Sequence, residues 1–252
     1  MRGYAVLLQK EITEQWRTGR LPVVAVIFLL FGLGSPVLAK YTPDIVKLAA
    51  SSIDIHVPTP TIKDAVAQLI KNLSQVGVLT AILIAMGSVA GEKEAGTAAF
   101  VLVKPVSRVA FLGAKFSGLA VTMAVAVLLC GLAAYLYTDL LFAPLSVFGF
   151  GAACLVILLG LLEVVAVTFL GSTLVRSSIP AAGIGLVALV VAGIVSSLPN
   201  VGRFTPFGLN ELASNLALQQ TAPGWAWPVI ANAGFVVAAL AVSWAVFRRQ
   251  EI

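Results

Sequence analysis

The chain has 252 residues, of which 60% are hydrophobic and 11% are charged, and its formal net charge is +5. Soluble domains carry about 25% charged residues, so this composition excludes an ordinary soluble domain and indicates an integral membrane protein. The two cysteines, Cys130 and Cys154, lie within apolar runs and have no CxxC or metal-ligand spacing, which predicts small buried side chains.

Residues 1–20 precede the first apolar run and have the pattern of an amphipathic helix. Apolar side chains recur at helical spacing, and charged residues lie on the other faces. The apolar residues are Tyr4, Leu7, Leu8, Ile12 and Trp16. A basic amphipathic helix that ends in tryptophan is typical of segments on a membrane surface. A simple anchor that flanks the first span is the alternative, and the pattern alone does not choose between them.

Six apolar runs are long enough to cross about 30 Å of hydrocarbon, which takes about 20 helical residues. They cover residues 21–39, 73–90, 109–137, 147–175, 180–198 and 227–247. Backbone groups inside a bilayer must be hydrogen-bonded within the segment, so these runs are predicted to be α-helices. The predicted fold is an all-α integral membrane protein, in which a six-helix transmembrane domain over residues 21–252 follows the N-terminal helix.

The basic residues in the connections predict the orientation of the six spans. Eleven of the sixteen lysines and arginines lie on the side that holds both termini, and five lie on the other side. Because basic residues concentrate on the inner side, we expect a multi-pass protein of the cell membrane, inner or plasma, with both termini cytoplasmic.

Two segments on the predicted outer side, residues 41–72 and 200–226, are longer than turns. In the first, Thr61 and Asp64 resemble a capping box and predict an amphipathic helix that leads into the second span. The second has apolar residues at helical spacing between prolines, which predicts a short helix at Leu209, Leu212, Ala213 and Leu216.

The longest polar interruption on the predicted cytoplasmic side is residues 91–108, GEKEAGTAAFVLVKPVSR, which we call the coupling segment. Thr97 can cap a short helix because its hydroxyl can accept a hydrogen bond from a free amide, and Pro105 ends that helix. Phe100 lies on its apolar face, between charged ends. Such a helix can bind in a groove of a soluble partner, and the alternative is that it lies on the lipid surface.

The residue order of this segment resembles that of permease subunits of ABC-2-type ABC transporters. The resemblance consists of Glu-Lys-Glu at the end of a span, Gly-Thr, an apolar run, Pro-Val-Ser-Arg and then Lys115. It implies a type V exporter-like fold with an interfacial N-terminal helix and with short helices that dip back before the last span. The long outer segment after the first span is closest in layout to the NosY and gliding-permease branch.

The resemblance also implies partners and coupling residues. A permease of this kind forms the translocation path of an exporter and takes its energy from a separate ABC-type ATP-binding subunit. Two ATP-binding subunits and two permeases are expected, the second permease being another copy or a close relative, in contact with lipid and not with nucleic acid. The residues that would couple to the ATPase are Glu92, Glu94, Gly96, Thr97, Phe100, Pro105, Ser107 and Arg108.

The sequence contains no GxxxxGK[ST], HExxH or GxSxG motif. The chain is therefore not expected to be an enzyme or to hold a cofactor or metal ion, and ATP hydrolysis is expected on the partner. A membrane-embedded enzyme or a passive pore without an ATPase is the alternative. The coupling segment favours the permease, because a pore needs no such docking surface.

Glu163 is an acidic residue inside a predicted span, sixteen residues after Val147 and twelve before Val175. A charge at this depth costs on the order of 3 kcal/mol, so such a side chain usually faces the protein interior or water. Either Glu163 is protonated and hydrogen-bonds a neighbour such as Thr122 or Thr168, or it lines a translocation path.

The predicted orientation determines which positions an impermeant reagent can reach. In a variant without the native cysteines, Thr59→Cys and Ala222→Cys are expected to react with an impermeant maleimide in intact cells. Ala95→Cys is expected to react only after the cells are broken. Labelling of Ala95→Cys in intact cells would contradict the orientation and the assignment of the coupling segment to a cytoplasmic partner.

Overall fold

The structure, a computed structural model, describes residues 3–49, 59–96 and 107–250. In these ranges the chain forms helices joined by turns and has no β-strand. The α-helices are α1 (Tyr4–Arg17), α2 (Arg20–Ala49), α3 (Ile62–Asn72), α4 (Val78–Met86), α5 (Ala90–Glu94), α6 (Arg108–Leu141), α7 (Val147–Leu174), α8 (Ser178–Ser196), α9 (Gly208–Ala217) and α10 (Ala226–Arg249).

The predicted all-α fold with six spans is confirmed. Six helical stretches are long and apolar enough to cross a bilayer, and each coincides with one predicted run: Arg20–Lys47, Ile62–Glu94, Arg108–Leu141, Val147–Leu174, Ser178–Ser196 and Ala226–Arg249. The predicted N-terminal helix is α1.

The first span is longer than predicted, because α2 continues beyond residue 39 to Ala49 and passes through Pro36 and Pro43. Each proline removes an amide donor from the helix. Ser35 and Thr42, which precede the prolines, donate hydroxyl hydrogen bonds of 2.5 and 2.6 Å to carbonyls four residues earlier. Such side-chain bonds help membrane helices to tolerate proline.

The predicted outer helix is α3. Both the amide and the hydroxyl of Thr61 donate hydrogen bonds of 2.7 Å to the carboxylate of Asp64, which holds the first turn. A single π-helical turn, Leu73–Gly77, joins α3 directly to α4. The predicted outer segment 41–72 is therefore helical at both ends, and residues 50–58 between them lie outside the described ranges.

The other outer segment folds back along α7. A 3-10 turn at Gly202–Phe204 precedes α9, which has buried side chains at Leu209, Leu212 and Ala213 as predicted. A Cβ atom added to Gly160, half way along α7, would lie 3.4 Å from the carbonyl oxygen of Pro206. The segment therefore dips back to the depth of the middle of α7.

Both described termini lie at the same end of the bundle, which we call the terminal end. The hydroxyl of Tyr4 in α1 donates to Ser117 in α6 at 2.7 Å. Arg108, the first residue of α6, donates to the carbonyl of Phe247 in the last turn of α10 at 2.9 Å. An even number of spans requires this arrangement.

α7 lies at the centre of the bundle and packs against α4, α6, α8, α9 and α10. Phe169 is fully buried there, with its ring edge-on to Phe116 of α6 at 5.9 Å between centroids. The apolar window of the α7 span is 61% buried, whereas those of α8 and α10 are 11% and 17% buried. α8 and α10 therefore present most of their surface to lipid or to another subunit.

α2 and α6 approach main chain to main chain. A Cβ atom added to Gly32 would lie 2.5 Å from the carbonyl oxygen of Cys130. At Gly131, an added Cβ would lie 2.8 Å from Sγ of Cys154 on α7. Small residues that let helices approach closely are common at interfaces between membrane helices. Cys130 is buried as predicted, and Cys154 is half-buried.

The variant Gly32→Ala is expected to lower the unfolding temperature, because the methyl group pushes α2 away from α6 and such overpacking costs about 1–3 kcal/mol. Gly34→Ala on the same helix is the control, since an added Cβ there meets nothing within 4 Å and alanine favours the helix. Thermal unfolding of the purified protein in detergent compares them. Equal unfolding temperatures would contradict the close packing of α2 and α6.

Candidate functional site

Three helices meet at a group of charged side chains at the terminal end of the bundle. α1 supplies Lys10, Glu11 and Glu14, α5 supplies Glu92, and α6 supplies Lys115. We call these five residues the ion-pair cluster. It lies at the described start of the coupling segment, because Glu92 is the second residue of that segment.

Lys115 is the centre of the cluster. Its side chain is only 3% exposed, and Nζ lies 2.7 Å from Oε1 of Glu92 and 3.1 Å from Oε1 of Glu11. A buried ammonium group is costly unless it is paired and hydrogen-bonded, and here carboxylates from two other helices share it. The ring of Phe111 lies 5.2 Å away. Lys115 therefore joins α1 and α5 to α6.

Lys10 forms a more exposed layer of the same cluster. Its Nζ lies 3.1 Å from Glu14, 3.3 Å from Glu11 and 3.4 Å from Glu92. Burial lowers the pKa of Lys10, but these three carboxylates outweigh burial and hold the pKa above its usual value. Burial likewise raises the pKa of Glu14, but the hydrogen bond from Lys10 and the positive charges of Lys10, Lys115 and Arg20 together outweigh burial and leave the pKa below its usual value. Both side chains are therefore charged at neutral pH.

The face of α1 that packs on α6 is polar. Glu11 and Gln15 are buried, whereas Trp16 of the expected apolar stripe is 63% exposed. The hydroxyl of Thr122 donates a short hydrogen bond to the side chain of Gln15. Sequence reasoning missed this contact. The available signal was spacing, because Glu11 and Gln15 share one face of α1, and Lys115 and Thr122 share one face of α6.

The carboxylates of the cluster are also paired with ammonium groups. Carboxylate oxygens of Glu11, Glu14 and Glu92 lie within 4.8 Å of one another, which is close enough to hold a metal ion. The ammonium groups of Lys10 and Lys115 already supply positive charge to these carboxylates. A cavity of about 270 Å³ beside them is also lined by the basic residue Arg20.

The helix break that leads into the coupling segment is held by Ser172 of α7. Its hydroxyl oxygen accepts hydrogen bonds from the amides of Val89 at 3.1 Å and Ala90 at 2.9 Å. The same hydroxyl donates to the carbonyl of Met86 at 2.8 Å. The end of α4 and the start of α5 therefore share one side chain, which satisfies amides and a carbonyl that the helices leave free.

Lys93 and Arg108, on the two sides of residues 97–106, both bind the end of α10. Nζ of Lys93 lies 2.6 Å from the carbonyl oxygen of Thr173 and 2.7 Å from the side chain of Gln250. Arg108 donates to the carbonyl of Phe247 and to two main-chain carbonyls after it, at 2.9, 2.8 and 3.1 Å. These contacts bring the flanks of the coupling segment to the last turns of α7 and α10.

Some of the predicted coupling residues form ion pairs or hydrogen bonds with other parts of the chain. Glu92 belongs to the ion-pair cluster, and its side chain is only 15% exposed. Arg108 holds the end of α10. The hydroxyl oxygen of Ser107 accepts from the amide of Ala110 at 3.2 Å and caps α6. Their part in binding a partner stays a prediction.

Other predicted coupling residues are exposed or lie outside the described ranges. Glu94 is exposed and accepts hydrogen bonds at the start of α8, from Ser177 at 3.3 Å and Ser178 at 3.4 Å. Gly96 is exposed and has a φ of 69°, a conformation that favours glycine. The remaining three, which lie outside the described residues, are Thr97, Phe100 and Pro105.

Glu163 lies near the middle of α7 and is 6% exposed. Neither hydroxyl that was expected as its partner forms a hydrogen bond with Glu163. The hydroxyl of Thr122 donates to Gln15, and that of Thr168 donates to the carbonyl of Val164. Within the described part of the chain, Oε2 of Glu163 is buried without a hydrogen-bond partner. The side chain lines an apolar cavity of about 360 Å³, which we call the Glu163 cavity.

Comparison with known families confirms the resemblance seen in the coupling segment. The sequence model of the family described as ABC-2 family transporter protein matches residues 5–211. The chain belongs to this family. The ABC-2 family protein is 28% identical over 223 residues to the uncharacterized transmembrane protein YxlG of Bacillus subtilis (strain 168), with 86% of each chain covered. It is thus a multi-pass membrane component of a transporter, and the NosY-like branch stays a prediction.

Removing the central ammonium group tests the ion-pair cluster. Lys115→Met is expected to destabilise the protein by about 3–5 kcal/mol, because carboxylates from α1 and α5 lose the buried charge that they share. Lys10→Met is the control, since Lys10 is 44% exposed and such pairs contribute less than about 1 kcal/mol. Thermal unfolding in detergent is the measurement. A Lys115→Met protein as stable as Lys10→Met would show that the cluster does not hold the helices together.

Proposed function

We propose that this ABC-2 family protein is the permease subunit of an ATP-driven exporter and that a separate ABC-type ATP-binding subunit docks on its coupling segment. The observation that carries the proposal is that both flanks of this segment bind the ends of several spans. Lys93 and Arg108 are the residues that make these contacts. A segment built in this way can pass a movement of its partner to the membrane domain.

The contacts suggest how the movement would spread. On the first flank, α5 binds α7 through Ser172 and binds α6 through Glu92 and Lys115. On the second flank, Arg108 begins α6 and holds the end of α10. A displacement of residues 97–106 would therefore act on α6, α7 and α10 together, and not on a single loop.

Within this proposal the coupling residues have different tasks. Phe100 contributes the apolar face that enters a groove of the ATP-binding subunit, and Thr97 and Pro105 set the limits of the docking helix. Glu94 and Gly96 precede these residues in the chain and are exposed. The remaining residues, Glu92, Ser107 and Arg108, also form contacts within the chain, through which they would pass the movement on.

The assembly follows from the same reasoning. ATP binding would close two ATP-binding subunits, so two permeases are needed, this chain and either a second copy or a close relative. The weakly buried spans α8 and α10 leave apolar surface for such a neighbour and for lipid.

Both termini would be cytoplasmic, because eleven of the sixteen basic residues lie on their side of the cell membrane. Glu163 would line the translocation path.

Phe100→Asp tests the docking face. An unpaired charge on a buried apolar contact costs several kcal/mol, so co-purification of the permease with the ATP-binding subunit is expected to fall at least tenfold. Phe100→Leu keeps the face apolar and is expected to retain the complex. The measurement is the yield of each complex after co-expression with candidate ATP-binding subunits encoded beside the gene. If Phe100→Asp keeps the yield and the transport activity, this face does not dock.

A further inference from the structure

We propose that the Glu163 cavity binds a lipophilic organic cation and that such cations are the class of cargo that the transporter moves. The claim of binding stands on the cavity itself. The claim of cargo rests on the function proposed above, so the two claims are tested separately below.

The cavity has the size and walls of a small-molecule site. Its volume is about 360 Å³, within the usual range of roughly 300–1,000 Å³ for ligand pockets. α7 supplies Glu163, α8 supplies a face of small and branched side chains, the turn before α9 supplies Phe204, and α10 supplies Phe235. Apolar walls of this kind bind the body of a ligand, and a small number of polar groups among them fixes its orientation.

The ionisable group that lines this cavity is acidic. Glu163 is the one titratable side chain among the described residues that line it. Oε2 of Glu163 is buried and accepts no hydrogen bond from the described part of the chain. The nearest turn carries Arg203, but its guanidinium group lies 4.8 Å from the ring centre of Phe204 and Arg203 does not line the cavity.

The carboxyl group of Glu163 has no counter-charge among the lining residues that the structure describes, and a bound cation would supply one. A buried carboxylate is costly without a counter-charge, and the attraction between opposite charges is stronger where water is excluded. A cation with an apolar body satisfies both parts of the cavity, because its charge pairs with Glu163 and its body replaces water on the walls. A neutral molecule of the same shape replaces water on the walls but does not pair with Glu163, and an anion is repelled by its carboxylate.

The position of the cavity suits a ligand that dissolves in the bilayer. Two of its walls belong to α8 and α10, which are the least buried spans of the chain. The third wall is the segment that folds back to the middle of α7, where Pro206 approaches Gly160. A lipophilic cation can therefore reach Glu163 from the outer surface of the bundle without crossing the packed core around α7.

Two ions of the same shape and opposite charge test the binding claim. Tetraphenylphosphonium is expected to bind the purified protein saturably in equilibrium dialysis, and tetraphenylborate is not. Glu163→Gln keeps the shape of the side chain but not its charge, and it is expected to weaken tetraphenylphosphonium binding at least tenfold. Ala188→Phe, which fills the cavity from α8, is expected to do the same, whereas Val190→Phe outside the cavity changes nothing.

Several results would overturn the binding claim. They are saturable binding of tetraphenylborate as strong as that of tetraphenylphosphonium, full binding in Glu163→Gln, or full binding in Ala188→Phe. If Glu163→Gln does not fold, the comparison of the two ions on the unmodified protein and the Ala188→Phe variant decides. None of these assays needs an ATP-binding subunit.

The cargo claim is tested on the complete transporter in proteoliposomes. Tetraphenylphosphonium is expected to accelerate ATP hydrolysis and to be moved in an ATP-dependent way, and Glu163→Gln is expected to abolish both effects while the complex stays assembled. Binding without ATP-dependent movement, in a complex that hydrolyses ATP, would overturn the cargo claim alone. Failure of every candidate ATP-binding subunit to form a complex would overturn the proposed function and leave the binding site in place.

Discussion

The arrangement at the terminal end of the bundle depends on one buried ammonium group. Lys115 is almost fully buried and lies between carboxylates from α1 and α5. Removing either side of such a contact leaves buried charge without compensation, which the rest of the packing cannot easily absorb. The contact therefore helps to fix the position of α1 on α6 and that of α5, which is only five residues long.

The ion pair at Lys115 also helps to hold α5, which is the described start of the coupling segment, in one position. A helix of one turn such as α5 has little stability by itself, because helix nucleation is unfavourable. Here its first amide bonds Ser172, and its charged residues bond α6, α7 and the end of α10. Since Arg108 holds the same end of α10, a partner that moves residues 97–106 would act on joined helices.

The sequence predicted the spans and the family well, because long apolar runs and a local motif carry that information. It did not predict the ion-pair cluster, since Glu11, Glu92 and Lys115 are far apart in the chain and only the packing of α1 on α6 brings them together. It also placed the end of the first span too early, because hydroxyls next to Pro36 and Pro43 let α2 continue. The depth of Glu163 was predictable, but the partners expected for it bond elsewhere.

The central proposal, that an ATP-binding subunit drives this permease through the coupling segment, predicts that α1, α5 and the start of α6 move as one body during the transport cycle, because Lys115 joins them. Spin labels at Val6 on α1 and Val109 on α6, both more than half exposed, can report this by pulsed electron resonance in the complex with the ATP-binding subunit. We predict one narrow distribution of distances between the labels, unchanged between the nucleotide-free and the ATP-bound complex. A shifted or broadened distribution in the ATP-bound complex would contradict the claim, because it would show that the pairs at Lys115 open during the cycle.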